Sequence, residues 1–169
     1  KLLQEGQNYL FVTSHQGENR EVRTYSDLTI VKDTVPPSLE AKANSFAFSP
    51  NDDGKFDEIA YRLRSSEKGR VNFMLTDADN KNLYSTEIPV SGHEEVKLIW
   101  RGGSFDLYRV DQKTGVFTLA ATLPISEKVS DGQFRASVFA FDEAGNISGN
   151  QIDNWSWTPP LPLQSPPLP

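Results

Sequence analysis

The amino-acid sequence predicts an all-β protein folded as an antiparallel β-sandwich, and three observations carry that prediction. Apolar and polar residues alternate with a period of two in several short runs, such as residues 59–63, 71–75 and 134–141. Turn-forming glycine, asparagine and aspartate residues separate these runs. The periodicity of an amphipathic helix is hard to find between them. Strands at this spacing, without helices between them, are typical of two antiparallel sheets packed face to face.

The alternation indicates which side of each predicted strand is buried. Residues two apart on a strand point to the same face of the sheet. The apolar residues that fall on buried faces in this way are Ile59, Tyr61 and Leu63, then Val71, Phe73 and Leu75, then Val138 and Ala140. Trp100 ends a further apolar run, and we predict that it lies in the same core because tryptophan is highly buried on average.

Residues 108–119, YRVDQKTGVFTL, predict a β-hairpin. Two apolar segments flank a short loop in which Gly115 can adopt the positive φ that a tight turn needs. Pro89 lies in another strand-like run. Because proline has no N–H group to donate to a ladder, we expect Pro89 at the edge of a sheet or at a bulge.

Composition excludes several classes of function. The net charge is −6 over 169 residues and the acidic residues are dispersed, which argues against binding to nucleic acid or to a membrane surface. No apolar run approaches the roughly 20 residues that a membrane-spanning helix needs, so we expect no membrane insertion by this segment. Cysteine is absent, which excludes disulfides, thiolate zinc sites and cysteine nucleophiles.

Two segments of the chain resemble each other, residues 5–37 and residues 131–160. Both begin with an acidic residue, glycine and glutamine, continue through a strand and a turn, and end in a Pro-Pro pair. Repeats this far apart are usually whole domains. We therefore predict that residues 1–36 form the last hairpin of a preceding similar sandwich, and that residues 37–157 form one complete sandwich. The alternative is two similar hairpins within one larger sandwich.

Residues 158–169, TPPLPLQSPPLP, predict a proline-rich linker. Proline pairs hold a chain stiff and extended, which keeps neighbouring domains apart. The Pro36-Pro37 pair suits the same role earlier in the chain. Two alternatives are open for the tail: an artificial chain end, and a polyproline ligand for an aromatic-lined groove.

Five motifs occur in an order that resembles one bacterial family. Residues 48–54, FSPNDDG, precede an alternating strand, and the other motifs are DTVPP at 33–37, WRG at 100–102, DGQF at 131–134 and DEAGN at 142–146. The series resembles the bacterial immunoglobulin-like domain of the flagellar hook-capping-protein type. It is also similar to the fibronectin-like modules of streptococcal and lactococcal cell-envelope subtilisin-like proteinases. The stretch between the WRG and DGQF motifs is longer than in the simplest members, and the predicted hairpin fills it.

The resemblance implies an immunoglobulin-like or fibronectin type III-like sandwich, repeated in tandem on exported proteins that are extracellular, on the cell surface or periplasmic. It also implies a spacer, scaffold or adhesive module without catalytic residues, so we expect no enzyme. The expected partners are neighbouring domains of the same parent chain, together with a host or cell-surface protein or glycan. The alternative function is an accessory ligand- or substrate-binding domain of a cell-surface protease or glycan-binding protein.

The loop at residues 49–57 offers oxygen ligands around Gly54, which would make the sharp turn of a calcium loop. Its candidate calcium ligands are Asn51, Asp53 and Asp57. Ala60 stands where such a loop has a bidentate glutamate, so calcium would bind weakly unless a distant residue such as Asp142 contributed. The favoured interpretation is a turn in which the side chains of Asn51 and Asp53 bond their own backbone and Pro50 fixes φ. We expect no other cofactor.

Trp155 and Trp157 lie two residues apart, so both would point to one side of an extended strand. Such a pair either forms a stacking platform for a sugar or peptide ligand, or it covers the interface with the next domain or closes the end of the sandwich, and packing is the expected role. His15 and His93 lie far apart in polar segments, and no Gly-x-Ser-x-Gly motif accompanies them. We therefore do not expect a hydrolytic triad.

Overall fold

The computed structural model of the protein describes residues 3–15, 21–45, 47–50, 53–125, 132–148 and 151–155, with the backbone alone at 15, 21–23, 25–27 and 151–155. The described residues form eleven strands and no helix, so the all-β prediction is confirmed. The strands are β1 (Gly6–His15), β2 (Glu21–Lys32), β3 (Leu39–Ala43), β4 (Ile59–Ser65), β5 (Gly69–Asp77), β6 (Asn82–Val90), β7 (Glu95–Trp100), β8 (Ser104–Val110), β9 (Phe117–Pro124), β10 (Phe134–Asp142) and β11 (Gln151–Trp155). Among these residues no helix has the length and apolar character needed to cross a membrane.

The chain divides between Val35 and Pro36 into two compact units. The first unit holds β1 and β2, which pair antiparallel as a hairpin. Beside the open end of this hairpin, the Glu5 carboxylate accepts hydrogen bonds from the backbone N–H of Thr34 at 2.6 Å and from its hydroxyl at 2.9 Å. These two bonds lower the pKa of Glu5.

The second unit contains two antiparallel sheets. The five-stranded sheet has the order β3-β4-β7-β8-β9, and the four-stranded sheet has the order β11-β10-β5-β6. Every neighbouring pair in both sheets is antiparallel. Buried residues from both sheets contribute to one hydrophobic core, so the sheets pack as a β-sandwich.

The core forms from the faces that the alternation predicts. The predicted core residues that are buried are Ile59, Tyr61, Leu63, Val71, Phe73, Leu75, Val138 and Ala140. Aromatic rings join the two sheets, because Phe73 of β5 lies 4.9 Å from Tyr61 of β4 and 5.2 Å from Phe105 of β8, measured between ring centres. Burial of each large apolar side chain stabilises the fold by roughly 1.5–3 kcal/mol.

The predicted hairpin at residues 108–119 is confirmed, since β8 and β9 pair antiparallel on either side of a short loop. Gly115 has a φ of +70°, which is the left-handed conformation expected of it. The Asp111 carboxylate accepts hydrogen bonds from the N–H groups of Thr114 and Lys113, at 2.9 and 2.8 Å. These bonds lower the pKa of Asp111 and close the turn.

Pro89 lies in β6, which is an edge strand of the four-stranded sheet among the described residues. The predicted edge position is therefore confirmed. The register irregularity between β5 and β6 lies at Leu75 and Thr76, away from Pro89. The edge position, rather than a bulge, accommodates the missing N–H group.

The strand order brings the connections to two opposite ends of the sandwich. We name one end the Phe48 end. It contains the segment leading into β4, the β5–β6 turn and the β7–β8 turn, and the paired residues Ile59 and Trp100 lie beside it. We name the other end the Asp142 end. It contains the β4–β5, β6–β7 and β10–β11 connections, and the paired residues Asp142 and Gly69 lie beside it. Residues at one end cannot join a site at the other.

Candidate functional site

Phe48, the first residue of the FSPNDDG motif, belongs to the hydrophobic core. It is buried and stacks on Trp100 with ring centres 4.4 Å apart. Trp100 also lies 5.7 Å from Phe105 and 5.5 Å from Phe134. The prediction that Trp100 lies in the core is confirmed, and the motif begins with the side chain that covers it.

The segment after Phe48 is held against the β7–β8 turn. Gly102 has a φ of +93°, and a Cβ atom added there would lie 3.3 Å from Cγ of Pro50. The N–H of Ser49 donates a 2.7 Å hydrogen bond to the carbonyl of Phe56, which closes the loop on itself. The loop is therefore anchored by packing on one side and by a backbone bond at its base.

The two acidic calcium candidates both accept hydrogen bonds from the backbone of their own loop. Oδ1 of Asp53 accepts from the N–H of Lys55 at 2.8 Å, and Oδ2 of Asp57 accepts from the N–H of Gly54 at 2.7 Å. Gly54 has a φ of +81°. Asn51, the third candidate, lies outside the described residues. The bond to Asp53 is one that the favoured turn interpretation predicts, the bond to Asp57 adds to it, and the calcium site stays a prediction.

Asp142 cannot supply the distant ligand that the sequence suggested for this loop, because it lies at the opposite end of the sandwich. There its carboxylate accepts hydrogen bonds at 2.8 Å from both the backbone N–H and the side-chain amide of Asn146. Burial alone would raise the pKa of Asp142, but these bonds outweigh it and lower the pKa. Gly145, with a φ of +92°, completes the turn.

We predict that calcium does not stabilise the protein. The carboxylates of Asp53 and Asp57 already stabilise the turn as hydrogen-bond acceptors, and Ala60 supplies no twelfth-position ligand. The melting temperature in millimolar calcium should equal that in a chelator. A rise in calcium that disappears in the Asp57→Asn variant would instead establish a metal site at this loop, because a ligand that binds the native state raises its stability.

The tryptophan pair is only partly within the described residues. Trp155 ends β11, and its backbone pairs with Phe134 of β10. Its side chain and the whole of Trp157 lie outside what the structure describes. The ligand platform and the packing role both stay predictions.

His93 has a structural backbone role at the Asp142 end. Its N–H donates to the carbonyl of Ser65 at 2.8 Å, and its own carbonyl accepts from Gln112 at 2.9 Å and from Arg64 at 3.2 Å. Its φ is +64°. The other histidine, His15, ends β1, and its side chain lies outside the described residues. The expectation that the chain has no hydrolytic triad stays a prediction.

A shallow groove of about 310 Å³ lies on the four-stranded sheet, on the face away from the core. Its lining includes Asn72 and Met74 of β5, Ser85 and Glu87 of β6, and Phe139 of β10. Oδ1 of Asn72 is buried there without a hydrogen-bond partner among the described residues. Leaving such an oxygen unpaired costs roughly 1–3 kcal/mol.

Sequence reasoning missed this groove. Its residues come from three strands: β5 and β6 follow one another in the chain, but β10 begins only at Phe134 and becomes a neighbour of β5 only in the sheet order β10-β5-β6. No motif marks them, and each one is an ordinary outward-facing strand residue. The single local signal is that Asn72 and Met74 alternate with the buried residues Val71 and Phe73. This alternation shows which face of the sheet Asn72 and Met74 lie on, but not which residues of other strands lie beside them.

Comparison with known proteins adds no identification. No protein-family model matches the chain. The search of curated proteins also finds no match. The resemblance to bacterial immunoglobulin-like domains therefore stays a prediction that depends on the motifs.

Proposed function

We propose that the chain is a non-catalytic, immunoglobulin-like repeat module of an exported bacterial protein, placed outside the cell, on its surface or in the periplasm. It acts as a spacer or scaffold between other domains and presents surfaces for adhesion. The observation that carries the proposal is the order of the strands in the two sheets. The motif series and the exposed hairpin of the first unit support it.

The strand order supports the proposed immunoglobulin-like sandwich. In such domains strands A, B and E lie in one sheet and strands C, F and G in the other, with C′ beside C in some members. Taken in chain order, β3, β4 and β7 have the positions of A, B and E, and β5, β6, β10 and β11 have those of C, C′, F and G. The β8–β9 hairpin extends the first sheet beyond E, and it corresponds to the long stretch between the WRG and DGQF motifs.

The hairpin of the first unit supports the tandem arrangement. Tyr9, Val12 and Val31 are 68%, 66% and 63% exposed, although all three are apolar strand residues. An isolated two-stranded hairpin is marginally stable in water, and apolar residues exposed together usually mark an interface. In the similar segment of the second unit, β10 has β11 on one side and β5 on the other. We assign residues 1–36 to a preceding sandwich that supplies the equivalent covering strands, residues 37–157 to a complete domain and residues 158–169 to a linker.

A shortened chain of residues 37–157 tests this division. Every residue of the buried core cluster lies between Leu39 and Ala140, so removal of residues 1–36 leaves the core intact. We expect the shortened chain to unfold cooperatively, with a free energy of unfolding within about 1 kcal/mol of that of the full chain. Urea titration followed by circular dichroism measures both values. A shortened chain without β-sheet signal would show that the hairpin belongs to one larger sandwich.

Ligand binding by an accessory domain is the second candidate function, and the groove at Asn72 favours it. The unpaired Oδ1 of Asn72 calls for an N–H or O–H donor, and Phe139 and Met74 offer an apolar wall. A glycan or a peptide has both features. Calorimetric titration with a panel of cell-wall glycans and peptides tests this role. Saturable binding that is weakened at least about tenfold in Asn72→Leu would support it, and no heat with any ligand would exclude it.

A further inference from the structure

Sheet edges expose unpaired backbone N–H and C=O groups, and proteins usually protect them with short strands, charged residues or proline. Three of the four edges in the described sandwich are protected in this way. β3 has five residues and contains Glu40 and Lys42, and β11 also has five residues and contains Asp153. β6 is longer but contains Glu87 and Pro89.

The fourth edge, β9, has the least protection. Its eight residues, FTLAATLP, contain no charged side chain, and proline occurs only at the last position, Pro124. Thr118, Leu119 and Thr122 are exposed, and Leu119 is 52% exposed. Among the described residues β9 pairs with β8 alone. Threonine, phenylalanine and leucine suit an extended strand, so β9 offers a pairing edge that nothing described covers.

The direction of the backbone groups along β9 can be derived from its two ends. The N–H of Ile125 bonds to Gly103 at 3.1 Å, and the carbonyl of Val116 accepts from Asp111 at 3.0 Å, so both groups point toward the β8 side. Backbone groups alternate in direction along a strand. Counting inward from each end, the groups of Leu119 and Thr122 point to the free edge.

A β-bulge explains why two residues that are three positions apart, Leu119 and Thr122, can both point their backbone groups to the free edge. Leu107 of β8 lies opposite Ala121, whereas Tyr108 lies opposite Leu119, so Ala120 is the extra residue on β9. The extra residue reverses the alternation between the two halves of the strand. Leu119 and Thr122 therefore present their backbone groups on the same side.

We propose that β9 is a self-pairing edge, which binds β9 of a second copy of this chain in antiparallel orientation. The two-fold axis passes between Ala120 and Ala121. Leu119 then lies opposite Thr122 of the second copy, and each such pair exchanges two backbone hydrogen bonds. The same pair occurs twice because the interface is isologous. Two five-stranded sheets become one continuous sheet.

The second copy is the occupant because the strand is complementary to itself. In this register Thr118 lies opposite Leu123 of the second copy, and Ala120 lies opposite Ala121, so no charged group of one strand meets another. Every residue meets one that faces the same side of the sheet, because the bulge occurs on both strands. The pairing does not depend on the proposed spacer role.

The expected association is weak and strengthened by salt. A single pair of eight-residue edge strands is a small interface, in the range of transient contacts. Each copy has a net charge of −6, so two copies repel one another at long range. Added salt screens this repulsion without weakening an uncharged contact.

Sedimentation equilibrium of the full 169-residue chain over a concentration series tests the proposal. We expect a monomer–dimer equilibrium that shifts toward dimer in added salt. Leu119→Lys should raise the dissociation constant at least about tenfold, because an edge lysine opposes strand addition. The matched control is Ser85→Lys on β6, and a second control is Tyr9→Lys on the exposed hairpin of the first unit. Neither should change the dissociation constant.

Amide hydrogen exchange of the unaltered chain gives a second readout that needs no variant. The amide protons of Leu119 and Thr122 should become protected as concentration rises. Those of Thr118 and Leu123 point toward β8 and should be protected at every concentration. A chain that is monomeric at all concentrations would overturn the proposal. A dimer that Tyr9→Lys abolishes and Leu119→Lys leaves intact would overturn it as well.

Discussion

Trp100→Ala should lower the free energy of unfolding by about 3–5 kcal/mol, the usual cost of replacing a large buried aromatic residue by alanine. Trp100 is 2% exposed, and its ring contacts those of Phe48, Phe105 and Phe134. Its removal leaves a cavity between the two sheets and takes away the surface on which Phe48 stacks. Chemical denaturation of the variant and the unaltered protein measures the difference.

Trp100→Phe is the matched control for this variant. Nε1 of Trp100 is buried and has no hydrogen-bond partner among the described residues, so phenylalanine keeps an aromatic ring and removes an unpaired donor. We expect Trp100→Phe to lower the free energy of unfolding much less than Trp100→Ala does. If Trp100→Ala cost less than about 1 kcal/mol, the ring would not be part of the core, because replacing even a smaller core residue such as leucine by alanine costs about 2–5 kcal/mol.

Gly69→Ala should lower the free energy of unfolding by about 3 kcal/mol, at the upper end of the usual cost of overpacking. A Cβ atom at Gly69 would lie 1.9 Å from the carbonyl oxygen of Phe141, far inside contact distance. The oxygen belongs to the backbone of β10, and Gly69 pairs with Asp142 on that side and with Val90 on the other. The strands must separate to accept the methyl group, and thermal denaturation should show a lower melting temperature.

Gly103→Ala is the control for the change from glycine to alanine. A Cβ atom at Gly103 would have no heavy atom within 4 Å, and Gly103 does not have a positive φ. Such a substitution leaves stability unchanged or raises it by about 0.4–1 kcal/mol, because it reduces the freedom of the unfolded chain. Equal effects of the two substitutions would contradict the close approach of Gly69 to β10.

The sequence predicts those parts of the fold that depend on neighbours along the chain. The buried face of β4 follows from a period of two, and the turn at Gly115 follows from a glycine between two apolar segments. β3 is harder to predict, because its five residues include Glu40 and Lys42 and, within the part of the chain that the structure describes, pair with one strand, β4. Pro89 is predictable because its missing N–H group restricts it to few positions in any sheet.

The candidate sites are harder to predict from the sequence, because the order of the strands in each sheet determines which residues lie together. Asp142 is a reasonable distant ligand for the 49–57 loop until β10 is seen to end at the opposite side of the sandwich. The groove at Asn72 and the free edge of β9 depend on which strands become neighbours, which alternation does not reveal. Phe48 is visible in the sequence as a motif residue, but its role as the cover of Trp100 appears only in the packing.

The mass and location of the native polypeptide test the proposed function most directly. An antibody raised against residues 37–157 would detect it in fractionated cells. A tandem repeat module of an exported protein predicts a band far above 18.9 kDa in the envelope or secreted fraction. A band near 18.9 kDa in the cytosol would contradict both the tandem arrangement and the export.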